Sequence, residues 1–96
     1  MAHENTIKVS YSDEKLRILV EEYITMQRTE FTFKGICSYI LCRAMEEERT
    51  TVTGLYESNE LALSDCERVT QILDRIINEK RIAIGSDKSL YVKIAD

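Results

Sequence analysis

The chain has 96 residues, of which 44% are apolar and 31% are charged, and its formal net charge is −4. This composition predicts one small domain spanning residues 1–96, and it excludes an acidic disordered chain because apolar residues are frequent and evenly spread. It also lacks an apolar run as long as a membrane helix and the strongly basic balance typical of nucleic-acid-binding domains.

Cysteine and histidine limit the chemistry that the chain can support. The three cysteines are an odd number, and no signal peptide precedes them, so we expect reduced thiols in a cytoplasmic protein. Cys37 and Cys42 fall on different faces of a predicted helix, and the one histidine is His3. We therefore predict no metal site. Glycine-rich phosphate loops and nucleophile elbows are also missing, so we expect no cofactor, no small-molecule substrate and no enzymatic activity.

The first half of the chain predicts a strand and two helices. Residues 6–11 alternate between apolar and polar, which predicts a short strand within an N-terminal tail that covers residues 1–11. Ser12 precedes two acids and is a predicted N-cap for helix 1 at 13–28. The segment Phe31–Phe33 predicts a small strand or the entry to helix 2, placed at 34–48.

The second half begins with a long connection, residues 49–63. Its start favours a strand, and residues 58–61 carry the cap pattern of a single helical turn. Ser64 and Glu67 form a capping-box pattern ahead of helix 3, predicted at 65–80. After helix 3, apolar residues recur at every second position, the period of a strand. This change predicts a hairpin of strands 81–84 and 90–94, with Ile82 and Ile84 facing the core.

This order of elements resembles the winged helix-turn-helix family. The resemblance rests on the capped third helix, on the hairpin after it, and on Asn78–Ile82, which lie where a recognition helix passes into the first wing strand. It implies an α+β fold with three main helices, a C-terminal wing and a short strand between helices 1 and 2. Phe31–Phe33 would pair with the hairpin. The connection before helix 3 is longer than in the family's DNA readers.

The resemblance implies a small DNA-binding transcriptional regulator that acts as a homodimer on double-stranded DNA. The third helix and the wing would form the contact surface. The residues expected to contact DNA or another partner are Arg68, Gln71, Arg75, Asn78 and Lys88.

A second interpretation is an acidic protein-interaction module, an adaptor or inhibitor that covers a basic protein surface. Glu67 and Asp74 lie on the outward face of helix 3, where DNA phosphates would repel them. Ile18 and Met26 lie off the main apolar stripe of helix 1. They are either incidental or part of a dimer or partner surface.

Overall fold

The computed structural model describes residues 6–53, 60–85 and 90–94 of the chain, and these residues adopt an α+β fold. The described part contains three helices and two small three-stranded sheets. The elements are β1 (Thr6–Val9), α1 (Asp13–Met26), β2 (Glu30–Thr32), α2 (Phe33–Glu46), β3 (Thr50–Thr53), β4 (Glu60–Leu61), α3 (Leu63–Asn78), β5 (Ile82–Ile84) and β6 (Leu90–Lys93).

Helix α1 forms where its apolar period predicts it. The Ser12 hydroxyl accepts a 3.1 Å hydrogen bond from the Lys15 amide, so the predicted N-cap is confirmed. Its buried stripe packs into the core, and the helix ends at Met26 rather than at residue 28.

The first sheet has the order β3-β1-β4. Strand β1 pairs antiparallel with β3, with Val9 opposite Thr50, and parallel with β4, with Ile7 opposite Leu61. The prediction of a helical turn at 58–61 is therefore wrong for Glu60–Leu61; residues 58 and 59 lie outside the described part. Pairing with a strand more than 50 positions away decides the conformation there.

Helix α3 begins at Leu63, with Ala62 at the N-cap and no side-chain cap, so the predicted capping box of Ser64 and Glu67 is wrong. The Ala62 amide donates to the Ile7 carbonyl at 3.0 Å. The pairing of β1 with the segment before α3 therefore determines where the helix starts. The helix also ends earlier than predicted, at Asn78.

The second sheet has the order β2-β6-β5, and all its pairs are antiparallel. Phe31 lies opposite Tyr91, and their rings stack with centroids 5.5 Å apart. Ile82 is buried as predicted, but Ile84 is 59% exposed, so its predicted place in the core is wrong. The alternation puts both residues on one face of a three-residue strand, and the core reaches only the first of them.

The core joins all three helices to both sheets. Helix α1 packs against both α2 and α3. The fully buried large apolar side chains are Val9, Leu16, Leu19, Val20, Ile36, Ile40, Val69, Leu73, Ile76 and Ile82. Within the described residues, no helix has the length and apolar character needed to cross a membrane.

Candidate partner-binding surface

A groove of about 1030 Å³ opens along α1 and is bordered by α2 and α3. Its apolar lining includes Ile18 and Met26 of α1, which are 50% and 58% exposed. Tyr39 of α2 and Ile72 of α3 contribute further apolar surface. The off-stripe residues noted in the sequence thus lie in one concave surface.

Three arginines that line the groove each contact two carboxylates of the same chain. Arg17 contacts Glu21 and Glu79, Arg43 contacts Glu22 and Glu47, and Arg68 contacts Asp13 and Asp65, at distances between 2.8 and 3.6 Å. The groove lining holds four carboxylates, of Asp13, Glu14, Glu21 and Glu22, and four arginines, which are these three and Arg75. The formal charges of the lining therefore balance, and three of its four arginines are neutralised by carboxylates of the same chain.

The contacts of Arg68 show how the fold builds one end of the groove. Asp65 is fully buried in the first turn of α3. One of its carboxylate oxygens accepts from the Val9 amide at 2.9 Å, and the other accepts from Arg68 Nη1 at 2.9 Å. Arg68 also donates to Asp13 Oδ1 at 2.8 Å and to the Tyr11 carbonyl. These contacts bind the Arg68 guanidinium to groups of its own chain.

A second cluster joins α1 to the start of β5. Arg81 Nη1 donates to Glu21 Oε2 at 2.6 Å, and this contact holds the pKa of Glu21 below its usual value. Arg17 Nη2 lies 2.9 Å from both carboxylate oxygens of Glu79 and lowers the pKa of that carboxyl. Glu21 and Glu79 thus neutralise two arginines near the end of α3, Arg17 and Arg81.

Tyr39 and Arg43 of α2 form the opposite border. The Tyr39 hydroxyl donates to Glu22 Oε1 at 3.2 Å, and Arg43 Nη1 donates to the same hydroxyl at 3.1 Å. The Arg43 guanidinium also lies over the Tyr39 ring, 5.9 Å from its centroid. These contacts hold an aromatic side chain at the edge of the groove.

The residues predicted from the sequence to contact a partner separate into three groups. Gln71, Arg75 and Asn78 are exposed on α3, and the first two line the groove. Arg68 lines it as well, with its guanidinium in the contacts given above. Lys88 lies outside the described residues.

Sequence reasoning missed the acids that neutralise these basic groups. The sequence-based predictions give no role to Asp65 or to Glu21. Asp65 is the acid one turn before Arg68, and an i,i+3 pair of this kind was a usable signal. The contacts of Asp65 with Val9 and of Glu21 with Arg81 join residues 56 and 60 positions apart, and no local pattern reports them.

In the described part of the chain, no three residues of the types His, Cys, Asp and Glu lie together as metal ligands would. Comparisons of the chain with protein-family models, curated proteins and solved structures found no match. The function proposed below therefore rests on the geometry and charge of the groove.

Proposed function

We propose that the chain is a protein-interaction module of the winged-helix type that binds a basic amphipathic segment of a protein partner in the groove over α1. The observation that carries this proposal is that each of Arg17, Arg43 and Arg68 already contacts two carboxylates of its own chain. Three of the four arginines that line the groove are neutralised in this way, so the groove offers little positive charge to a phosphate group.

The order of the elements supports the winged-helix assignment. Helices α1, α2 and α3 are followed by β5 and β6, and the short strand β2 lies between the first two helices. In the sheet β2-β6-β5, the strand that follows α1 pairs with the last strand of the chain, as the family resemblance requires.

The chemistry of the partner follows from the lining of the groove. Exposed Ile18 and Met26 offer apolar contact area, while Asp13, Glu14 and Glu22 at the border are exposed acids. A helical segment with one apolar face and flanking Lys or Arg residues satisfies both features. The net charge of −4 also steers a basic partner towards the molecule.

The test uses two synthetic helical peptides with the same leucine face, one carrying lysines and the other carrying glutamates. Each is labelled and titrated with the protein, and binding is followed by fluorescence anisotropy. We expect the lysine peptide to bind and the glutamate peptide not to bind. Ile18→Gln and Met26→Gln should each weaken binding by about tenfold, because each removes part of a buried apolar contact.

Ile84→Gln is the matched control, because Ile84 is equally exposed but lies on β5, away from the groove. Equal losses from Ile18→Gln and Ile84→Gln, or equal binding of the two peptides, would contradict the proposal. Sedimentation of the free protein tests the homodimer expected from the sequence. A dimer that Ile18→Gln dissociates would place a second copy in the groove instead of a basic partner.

Double-stranded DNA is the second candidate, and it is favoured by the exposed row of Gln71, Arg75 and Asn78 on α3. A mobility shift on mixed duplex at about 50 mM salt, where electrostatic binding is weakly screened, tests it. If DNA binds, Arg75→Ala and Lys88→Ala should each weaken the complex and reduce its salt slope by about 0.9.

The acids of the same helix provide the complementary test. Glu67→Gln and Asp74→Asn should strengthen DNA binding, because both carboxylates are exposed on α3 where phosphates would approach. The absence of a shift for the wild type and for both variants would remove DNA as a candidate.

A further inference from the structure

A second pocket, of about 320 Å³, lies between α2 and the segment that leads into α3. Phe33, Leu41 and Leu61 give it apolar walls. Two cysteines line it, Cys37 from α2 and Cys66 from α3. The fold thus brings together two thiols that are 29 positions apart in the sequence.

Both thiols are half-buried and free. Burial, followed by the neighbouring Cys66, raises the pKa of Cys37 to about 12. Burial also raises the pKa of Cys66, and the contact with Cys37 partly offsets that rise. The contact between the two thiols raises the pKa of Cys37 and lowers that of Cys66, so this contact favours the Cys66 thiolate over the Cys37 thiolate.

Other ionisable groups lie around the two thiols. The carboxylates of Asp65 and Glu60 raise the pKa of Cys66 further, and Lys34 of α2 lines the same pocket. The Cys66 thiol also donates to the Leu61 carbonyl at 3.7 Å. The third cysteine, Cys42, is exposed and does not line this pocket.

We propose that Cys37 and Cys66 form a dithiol site that oxidised glutathione converts to an intramolecular disulfide. The Cys66 thiolate attacks one sulfur of glutathione disulfide, forming a mixed disulfide and releasing one glutathione thiolate. The Cys37 thiolate then attacks Cys66 Sγ, which breaks the mixed disulfide and releases the second glutathione. The two protein thiols are oxidised, glutathione disulfide is reduced to two thiols, and the two protons pass to the released glutathione.

The new bond would tie α2 directly to the first turn of α3. It would close a loop that contains β3 and β4, the connection between the two helices. A crosslink over a loop of about 30 residues removes freedom from the unfolded chain, and we expect the unfolding equilibrium constant to fall by roughly 100-fold or more. Oxidation would therefore lock the arrangement of α2 and α3.

The test uses the Cys42→Ser protein, which removes the exposed thiol. The protein is incubated with oxidised glutathione between pH 7 and pH 9, and its intact mass is measured after alkylation. We expect a product lighter than the starting chain by two hydrogens and resistant to alkylation. Its rate of formation should rise about tenfold per pH unit, because the attacking thiolate is scarce at neutral pH. The urea midpoint of this product should exceed that of the reduced protein.

Cys37→Ser and Cys66→Ser, each made in the Cys42→Ser background, are the controls. Neither can form the internal bond, so Cys37→Ser should stop at the glutathione mixed disulfide on Cys66. Circular dichroism of the reduced variants establishes that they fold. A stable mixed disulfide on the protein that retains both cysteines, a disulfide-linked dimer, or no mass loss up to pH 9 would overturn the proposal.

Discussion

The Val9 amide donates a 2.9 Å hydrogen bond to the Asp65 carboxylate, and this bond joins β1 to α3 across 56 positions of the chain. The second carboxylate oxygen accepts from Arg68 at 2.9 Å. Asp65 is the one buried charged side chain among the described residues, and no buried side-chain nitrogen or oxygen there lacks a hydrogen-bond partner. The ion pair therefore allows a carboxylate to sit in the core.

Arg68→Ala tests this arrangement. The substitution leaves Asp65 buried with the Val9 amide as its remaining partner, so we expect the free energy of unfolding to fall by about 3 kcal/mol. Urea denaturation gives the value. Arg75→Ala is the control, because Arg75 is exposed on the same helix, and its effect should stay within about 0.5 kcal/mol. Similar midpoints for the two variants would show that the pair with Asp65 contributes little.

The two serines with N-cap sequence patterns should differ in their contributions to stability. The Ser12 hydroxyl accepts from the Lys15 amide, whereas Ala62 occupies the N-cap of α3 and Ser64 is an exposed residue of its first turn. Ser12→Ala should therefore lower the free energy of unfolding by about 1 kcal/mol. Ser64→Ala should change it by less than about 0.5 kcal/mol. Equal losses in urea denaturation would mean that Ser64 caps the helix after all.

These serines also show what the sequence could predict about the fold. The apolar periods locate all three helices and the last two strands, because burial of one helix face or strand face is a local property of the sequence. The start of α3 was missed, since it depends on the pairing of Ala62 with Ile7. The two-residue strand β4 was missed for the same reason: its partner is β1, more than 50 positions earlier in the chain.

The candidate site was predictable to a similar degree. The helical period places Gln71 and Arg75 on the exposed side of α3, and the off-stripe position of Ile18 indicates an exposed apolar residue on α1. The electrostatic character of the surface could not be obtained in the same way. It depends on contacts such as Arg68 with Asp13, which join residues 55 positions apart.

Gly35, in the first turn of α2, lies too close to Tyr23 to carry a side chain. A Cβ atom at this position would lie 2.3 Å from the Tyr23 hydroxyl oxygen and 3.2 Å from Thr32 Oγ1. Tyr23 cannot move away without cost, because its ring contacts Phe31 and Tyr39. Gly35→Ala should therefore lower the free energy of unfolding by about 1–3 kcal/mol, although alanine has a higher helix propensity than glycine.

Tyr23→Phe provides the matched test of that explanation, because it removes the hydroxyl and keeps the ring. In the Tyr23→Phe background, Gly35→Ala should cost less than about 0.5 kcal/mol or should stabilise the protein, since the helix propensity gain is no longer opposed. Thermal or urea unfolding of the four proteins in this double-mutant cycle measures the coupling. A cost that is unchanged in the phenylalanine background would assign the clash to Thr32 Oγ1 or to the ring carbon Cζ of residue 23, each 3.2 Å from the added Cβ atom.

The contact between Tyr11 and Glu47 should make stability depend on pH at both ends of the range. The Tyr11 side chain is mostly buried, and its hydroxyl donates to Glu47 Oε1 at 2.5 Å. Burial and this hydrogen bond raise the pKa of Tyr11 from 10.0 to about 12, and the same bond lowers the pKa of Glu47. A raised tyrosine pKa contributes stability that is complete below pH 10 and is lost as the pH rises towards about 12. A lowered carboxyl pKa contributes stability that is present above pH 4.5 and is lost as the pH falls through the folded-state pKa of Glu47.

Tyr11→Phe should therefore lower the urea midpoint most at neutral pH, and the difference from the wild type should shrink in acid and above pH 10. Glu47→Gln is the control: it keeps an oxygen acceptor but cannot titrate, so its contact with Tyr11 should persist in acid. A difference between wild type and Tyr11→Phe that stays constant from acid to alkaline pH would show that the ring, and not the hydroxyl, accounts for the loss.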